Sequence, residues 1–329
     1  MAILVTGGAG YIGSHTVKEL KDRGREVVVY DNLSRGHRDA VGEVPLIVAD
    51  LMDSKVLAKT IEDYNIDSVV HFAAESQVGE SMQNPQKYYL NNVSGTLNLL
   101  KVMLDKDVKN IVFSSTAATY GEPEEVPITE NCPKNPTNVY GRTKLMIEHI
   151  LSDYDRAYGL KYVALRYFNA AGAHISGEIG EDHAPETHLI PIIMEVLLGK
   201  RDKLSIFGTD YATEDGTCIR DYIHVTDLAQ AHILALDWLK SGNPSRAYNL
   251  GNGNGFSVKQ VVDTVERVTG REIPVEYAKR RAGDPAVLIA SSQKVRDELK
   301  WQPQFDDLDT IISTAWKWHS NHPNGYEGR

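Results

Sequence analysis

The sequence predicts a doubly wound α/β fold: a parallel sheet covered by helices on both faces, followed by a smaller α/β lobe. Three observations carry that prediction. Short runs that are apolar at nearly every position alternate with helical patterns through the first half. A glycine-rich turn at 7–13 joins the first such run to the first helical pattern. After about Asn169 the rhythm breaks, with Gly172, Gly177, Gly180 and Pro185 close together.

The strand candidates are 3–6, 26–30, 46–48, 68–72, 110–114 and 161–166. Strands apolar on every residue are buried on both faces, which implies a parallel sheet under helices. Helical patterns lie between them, for example at 12–23 and 88–104. This alternation places a nucleotide-binding type of domain at 1–170 and a second lobe at 171–329. A segment near 220–250 returns to the first domain, with 247–250 as a further strand of its sheet.

Composition narrows the function. The chain has 329 residues, 42% of them hydrophobic and 24% charged, which suffices for a large core without a bias to disorder. The net charge of −10 argues against nucleic acid or an anionic membrane as partner. A pocket of Arg and backbone N–H groups can still hold a phosphate inside an acidic protein. Cys132 and Cys218 are far apart and read as reduced thiols. Residues 2–6 run straight into the glycine turn without a basic start or cleavage site. The longest apolar stretch, 189–198, contains Pro191 and Glu195 and is too short to span a bilayer. A soluble, cytoplasmic protein is expected.

Gly7, Gly10 and Gly13 stand at G-x-x-G-x-x-G spacing between a strand and a helix. Glycines there let the backbone turn sharply and approach a pyrophosphate, whose charge sits at the helix N-terminus. The spacing differs from the G-x-G-x-x-G of the Rossmann-type dinucleotide signature and resembles its short-chain dehydrogenase variant. Asp31 ends the second strand 18 residues after Gly13, where an acid meets the adenosine ribose. Its charge would repel a 2′-phosphate, so NAD is expected rather than NADP; Arg35 nearby is a small point the other way. Asp50, ending the third strand, is placed to reach the adenine.

Tyr140 and Lys144 form a Y-x-x-x-K pair, and among the 16 tyrosines only Tyr140 has a lysine four residues on. The helix starts after a Thr137 or Asn138 cap and stops at Gly159. Spacing of four puts both side chains on one face. A free phenol has a pKa of about 10, and bringing it near 7 takes about 4 kcal/mol. A cation about 4 Å away at an effective dielectric near 20 supplies about 4 kcal/mol. Oxidised nicotinamide adds a second positive charge. A hydroxyl at the end of the 110–114 strand can bond the reacting oxygen and share its proton with Tyr140. Thr116 is one candidate, with Ser114 and Ser115 as rivals on spacing alone. His183 and His188 flank Glu186, but Pro185 breaks any helix between them, and no metal site is expected. His71, on a buried strand, reads as a satisfied core residue.

The residues as a whole resemble the UDP-glucose (UDP-galactose) 4-epimerase family of extended short-chain dehydrogenases/reductases. The stretches carrying this are VTGGAGYIGSHTVKEL at 5–20, DNLSRG at 31–36, HFAAESQVGES at 71–81, YYLNNVSGTLNLL at 88–100, FSSTAATYG at 113–121 and NVYGRTKLMIE at 138–148. They continue with LRYFNAAGA at 165–173, IFGTDYATEDGTCIRDYIHVTDLA at 206–229, YNLGNGNGFSV at 248–258 and RRAGDPA at 280–286. The resemblance implies that Tyr140 is the base, Lys144 its electrostatic partner and Thr116 the sugar-bonding hydroxyl. It implies NAD contacts at Tyr11, Ile12, Asp31, Asn32, Asp50, Leu51, Phe72, Ala73, Ala74, Asn91, Lys144 and Phe168. It implies UDP-sugar contacts at Asn169, His188, Leu189, Phe207, Arg220, Tyr222, Arg281 and Asp284, and a homodimer. Arg220 and Arg281 can meet a diphosphate, Phe207 can stack near a uracil and Asp284 can accept from ribose hydroxyls.

The chain departs from the family's pattern in places. Thr116 stands where many members have Ser, His188 where many have Asn, and Ser76 where some have a phosphate-binding Lys. Leu288 replaces a bulky Tyr that in some relatives faces the sugar 2-substituent, so UDP-N-acetylhexosamines are expected to fit as well. Nucleotide-sugar dehydratases and uronate decarboxylases carry polar or acidic residues directly after the strand-end hydroxyl. Here those slots hold Ala117 and Ala118. UDP-pentose and UDP-uronate 4-epimerases remain the alternative.

Overall fold

A computed structural model describes residues 1–281 and 284–326. In its first half, strands β1 (Ala2–Thr6), β2 (Val27–Asp31), β3 (Leu46–Val48), β4 (Ile66–His71), β5 (Asn110–Thr116) and β6 (Lys161–Tyr167) alternate with helices. The helices are α1 (Tyr11–Asp22), α2 (Ser54–Asp63), α3 (Val78–Gln83), α4 (Pro85–Tyr88), α5 (Gly95–Asp105) and α6 (Val139–Tyr158). The second half adds β7 (Asn169–Ala171), α7 (Leu189–Leu197), β8 (Leu204–Phe207), β9 (Ile219–Arg220), β10 (Tyr222–His224), α8 (Val225–Lys240) and β11 (Arg246–Leu250). It ends with β12 (Phe256–Ser257), α9 (Val258–Thr269), β13 (Val275–Ala278), β14 (Val287–Leu288), α10 (Gln293–Leu299) and α11 (Leu308–Asn321).

The central sheet has seven strands in the order β11-β6-β5-β4-β1-β2-β3, all parallel. The order reverses between β1 and β4, and ligands of such sheets bind beyond the strand C-termini at that switch. The strand expected at 247–250 is β11, paired with β6.

Alternate side chains of each strand enter opposite cores. Ile3, Val5, Val27, Val29, Val112 and Val163 pack with Val17 and Leu20 of α1 and Leu228 of α8. Leu4, Val28, Tyr30, Val69, Ile111 and Phe113 pack with Leu57 of α2, Leu99 of α5 and Ile147 of α6. Each fully buried side chain of this size stabilises the fold by about 1.5–3 kcal/mol, which is why runs without polar alternation mark these strands. A third core, with Ile190, Ile193, Val261, Ile311 and Ile312, is built from elements of the second half of the chain.

One expected element differs. The helix expected at 88–104 is α4, a π-helical stretch Tyr89–Ser94, and then α5. The widened turn carries Asn92 wholly inward. Its amide accepts from Glu75 N at 2.8 Å and donates to Glu75 O and Thr143 Oγ1 at 3.0 and 3.1 Å. A buried amide whose oxygen and nitrogen are both hydrogen-bonded accounts for an irregular turn that apolar periodicity cannot reveal.

Candidate active site

The β1–α1 turn is tight because its glycines leave no room for side chains. A Cβ on Gly7, whose φ is +71°, would meet Ala73 N at 2.5 Å, and one on Gly13 would strike Gly7 O. Gly10 is different. Its φ is −80° and a Cβ would approach only Gly7 O, at 3.4 Å, so the protein's own packing does not require glycine there. No side chain caps α1. Its first N–H groups are thus free for an anion that comes close over Gly10. This cradle fits a dinucleotide pyrophosphate. Gly10→Ala should keep the melting temperature near wild type yet lose at least about tenfold in NAD affinity, about 1.4 kcal/mol. NAD titration of the variant checks this, and unchanged affinity contradicts it.

Asp31 is buried at the end of β2 and accepts from Ala9 N at 3.0 Å and Leu33 N at 2.8 Å. Burial pushes its pKa up against those two bonds. A carboxylate has about four acceptor sites, so capacity remains for ribose hydroxyls. Asn32 Nδ2 donates to Asp50 Oδ2 at 2.9 Å, and Asp50 Oδ1 accepts from Met52 N at 2.9 Å. Leu51 is buried among the core on the α2 side. Ile12 packs on the opposite core. Phe72 lies 4.6 Å from the His232 ring, with Ala73 N bonded to Thr6 O just beyond β4 and Ala74 next to it. Asn91 donates to Asn92 Oδ1 at 3.0 Å. Tyr11 donates its hydroxyl to Gly172 O at 2.6 Å, tying the start of α1 to the segment after β7.

The Tyr140–Lys144 helix forms where expected. The Asn138 side chain accepts from Gly141 N at 2.8 Å, and Gly159 closes α6 at φ +69°. Lys144 is 2% exposed and donates to Ser114 O at 2.7 Å, with Nζ 5.9 Å from the Tyr140 ring centroid. Strand alternation turns Ser115 to the face opposite Ser114 and Thr116, and hydrogen bonding distinguishes those two. Ser114 Oγ is bonded to Tyr167 Oη, and Ser115 Oγ donates to Glu148 Oε1 at 2.5 Å. Thr116 is the hydroxyl whose interaction with Tyr140 favours the phenolate.

Electrostatics correct the simpler expectation for the free site. Burial pushes Tyr140 up to about 12, against the Thr116 bond, and pushes Lys144 down to about 7. Moving a phenol from about 12 to near 7 takes about 7 kcal/mol. A cation roughly 6 Å away at an effective dielectric of 20 supplies about 3 kcal/mol. Lys144 alone is therefore insufficient, and a second positive charge beside the phenol must supply most of the rest. His71 is the core residue expected: its ring nitrogens meet Thr6 Oγ1 and Thr96 Oγ1 at 2.7 and 2.8 Å.

A second cluster faces the lobe. Arg281 lies over the Phe207 ring at 4.0 Å, and Arg220 Nη2 pairs with Asp284 Oδ1. β14 runs beside β9, with Leu288 in register with Arg220. Leu288 and Phe168 pack together on Tyr120, Ile128 and Cys132. Asn169 Nδ2 donates to Asp221 O at 2.8 Å. Tyr222 is buried in the second-lobe core, and Leu189 packs against that core at the start of α7. The His188 ring turns to Glu181 and Glu186, at 2.8 and 3.0 Å.

Some residues of this frame were not foreseen. Glu148 forms a buried pair with Arg166, through Arg166 Nε at 2.9 Å and Nη2 at 2.5 Å. Asp221, wholly buried, accepts from Asn252 N, Gly253 N and Ala290 N. Their only signal in the sequence is a charged residue inside an apolar run.

A parallel sheet with a glycine cradle at its switch point, and a Tyr–Lys–Thr cluster beyond β5, define a dinucleotide-using enzyme of the short-chain dehydrogenase/reductase type. The chain belongs to the NAD dependent epimerase/dehydratase family, which its residues 3–251 match. It is 57% identical over 326 residues to a UDP-glucose 4-epimerase of Halalkalibacterium halodurans, covering 99% of this chain and 98% of the relative. A crystal structure of UDP-glucose 4-epimerase from Brucella ovis in complex with NAD superposes with a TM-score of 0.94 at 52% identity, covering 96% of this chain and 97% of that one. The UDP-Glc/GlcNAc 4-epimerase of Campylobacter jejuni superposes with a TM-score of 0.86 at 46% identity, covering 97% and 99%.

Proposed function

We propose that this protein interconverts UDP-glucose and UDP-galactose by transient oxidation at C4 of the sugar. The observation that carries the reading is Tyr140 with buried Lys144 one turn along α6, bonded to Ser114 O, and Thr116 as the hydroxyl that acts on the phenol, in a fold that also builds a dinucleotide cradle. NAD, when bound, supplies the acceptor that takes hydride from C4 and later returns it to the opposite face. Gly7, Gly10, Gly13 and Asp31 would hold it.

The chain's residues do the rest. Tyr140 Oη takes the proton of the 4-hydroxyl, and Thr116 Oγ1 orients that hydroxyl and shares its proton. Lys144, fixed by Ser114 O, stabilises the developing phenolate. Arg220, Arg281, Phe207 and Asp284 anchor the UDP. The planar 4-keto sugar then turns about that anchor, and Tyr140 gives its proton back. Ala117 and Ala118, in the short turn after Thr116, offer no acid for elimination. The test is purified protein with UDP-galactose and no added cofactor, followed by NMR. UDP-glucose should accumulate to equilibrium; no conversion, even with NAD added, refutes the reading.

Acceptance of UDP-N-acetylhexosamines is a second reading, favoured by Leu288 on the strand beside Arg220. Leu288→Tyr should cut N-acetylhexosamine turnover by about tenfold or more while sparing the hexoses, since one misfit group changes discrimination by about 1–3 kcal/mol. Equal loss on both substrates contradicts it. A homodimer belongs to the same proposal, supported by exposed Val78, Met82, Leu97 and Met146 on α3, α5 and α6. Cytoplasmic residence is supported by Cys132 and Cys218 standing as separate buried thiols.

A further inference from the structure

Between β7 and α7 the chain brings together Glu181, His183, Glu186 and His188. One ligand atom from each lies within 4.8 Å of all the others. His183 Nδ1 is 3.1 Å from Glu181 Oε1 and 3.7 Å from Glu186 Oε2. His188 Nδ1 is 2.8 Å from Glu181 Oε1 and 3.0 Å from Glu186 Oε1. Four ligands at about 2.05 Å in a tetrahedron stand about 3.3 Å apart, and the four histidine-to-carboxylate distances, 2.8 to 3.7 Å, bracket that value.

Two further observations point to a ligand. The two carboxylates are 4% and 3% exposed, and among the described residues no Lys or Arg nitrogen pairs with either. The positive charge that two carboxylates so close and so deep require comes through the two imidazoles, as a proton on each or as one metal ion they share. Also, His183 Nδ1 is sealed from solvent and makes no hydrogen bond, although it points at the carboxylates. A donor aimed at a common centre but misaligned for hydrogen bonding is the arrangement of a metal ligand.

We infer that Glu181, His183, Glu186 and His188 form a closed tetrahedral site for a divalent transition cation of the Zn²⁺ class. Two imidazole nitrogens exclude Ca²⁺ and Mg²⁺, which take oxygen ligands. Two carboxylates neutralise the ion's charge, and four protein ligands leave no open position, so the role is structural.

The site staples the segment that bridges the two lobes. Arg35 Nη1 donates to Ala184 O at 2.7 Å, Gln77 Nε2 to Pro185 O at 3.3 Å and Trp318 Nε1 to Glu181 O at 3.2 Å. The staple therefore links the cofactor-side loops to the start of α7.

The test uses full-length protein without a histidine tag. Elemental analysis should find about one Zn²⁺ per chain. Chelator-stripped protein should take up one Co²⁺ with the intense visible bands of tetrahedral coordination, and Zn²⁺ should raise its melting temperature. Glu181→Gln and His183→Asn should each lose the Co²⁺ bands and the Zn²⁺-dependent rise. The inference is overturned if stripped wild-type protein shows neither tetrahedral Co²⁺ bands nor a Zn²⁺-dependent rise, or if the variants bind as wild type does. The first arm decides the matter even if a variant fails to fold. None of these readouts depends on epimerisation, so the staple and the proposed catalysis fail separately.

Discussion

Tyr140→Phe is expected to lower kcat by about 10² to 10⁴, the usual contribution of a positioned acid–base group. The fold should be unchanged. The hydroxyl removed interacts with Thr116, whereas the ring stays in place and Lys144 keeps its bond to Ser114 O. The backbone N–H of Tyr140, held by Ser81 Oγ at 3.2 Å, is untouched. The melting temperature and bound NAD should therefore match wild type while turnover collapses. Turnover close to wild type would remove Tyr140 from the mechanism. A parallel loss of melting temperature would make its role structural.

Arg166→Met is expected to cost about 3–5 kcal/mol of stability. The Glu148 carboxylate would remain buried without its cation. The pair's side chains are 5% and 6% exposed, so water cannot replace the guanidinium. Arg166 Nη1 also donates to Tyr120 Oη at 2.8 Å, which in turn bonds Asn249 Oδ1 at 2.7 Å. The network thereby joins α6, β6, β11 and the loop after β5. Glu148 lies one turn beyond Lys144 on α6, so the pair also seats the catalytic helix on the sheet. Denaturant unfolding measures the effect. Replacing both partners with methionine should recover most of the loss, because the penalty comes from the uncompensated charge. If the double variant is as unstable as the single one, burial of the lone carboxylate is not the cause.

The sequence was most informative where structure is local. The glycine turn, the six strands of the first half, the Asn138 cap and the Gly159 stop depend on neighbours within a few residues, so spacing and residue type suffice. The choice of Thr116 over Ser114 and Ser115 was not legible, since alternation separates only Ser115 from the other two and the Ser114–Tyr167 bond depends on the neighbouring strand. The strands β9 and β14 have two residues each, and no periodicity marks them; their pairing brings Leu288 beside Arg220 across 68 positions. Glu181 was not among the residues weighed with His183, Glu186 and His188. Pro185 does prevent a helix between His183 and His188, but the resulting loop folds both rings over two carboxylates. The charge balance of Tyr140 and Lys144 was also hidden, because burial raises one pKa and lowers the other, and burial is set by the whole fold.

The central claim is that the hydrogen on C4 leaves as hydride and comes back inside one closed site. UDP-galactose carrying deuterium at C4 tests it directly. With catalytic enzyme in ordinary water, the UDP-glucose formed should keep its deuterium at C4 by NMR. Washout of the label into solvent, or solvent hydrogen appearing at C4, would contradict hydride transfer and with it the account of Tyr140, Lys144 and Thr116.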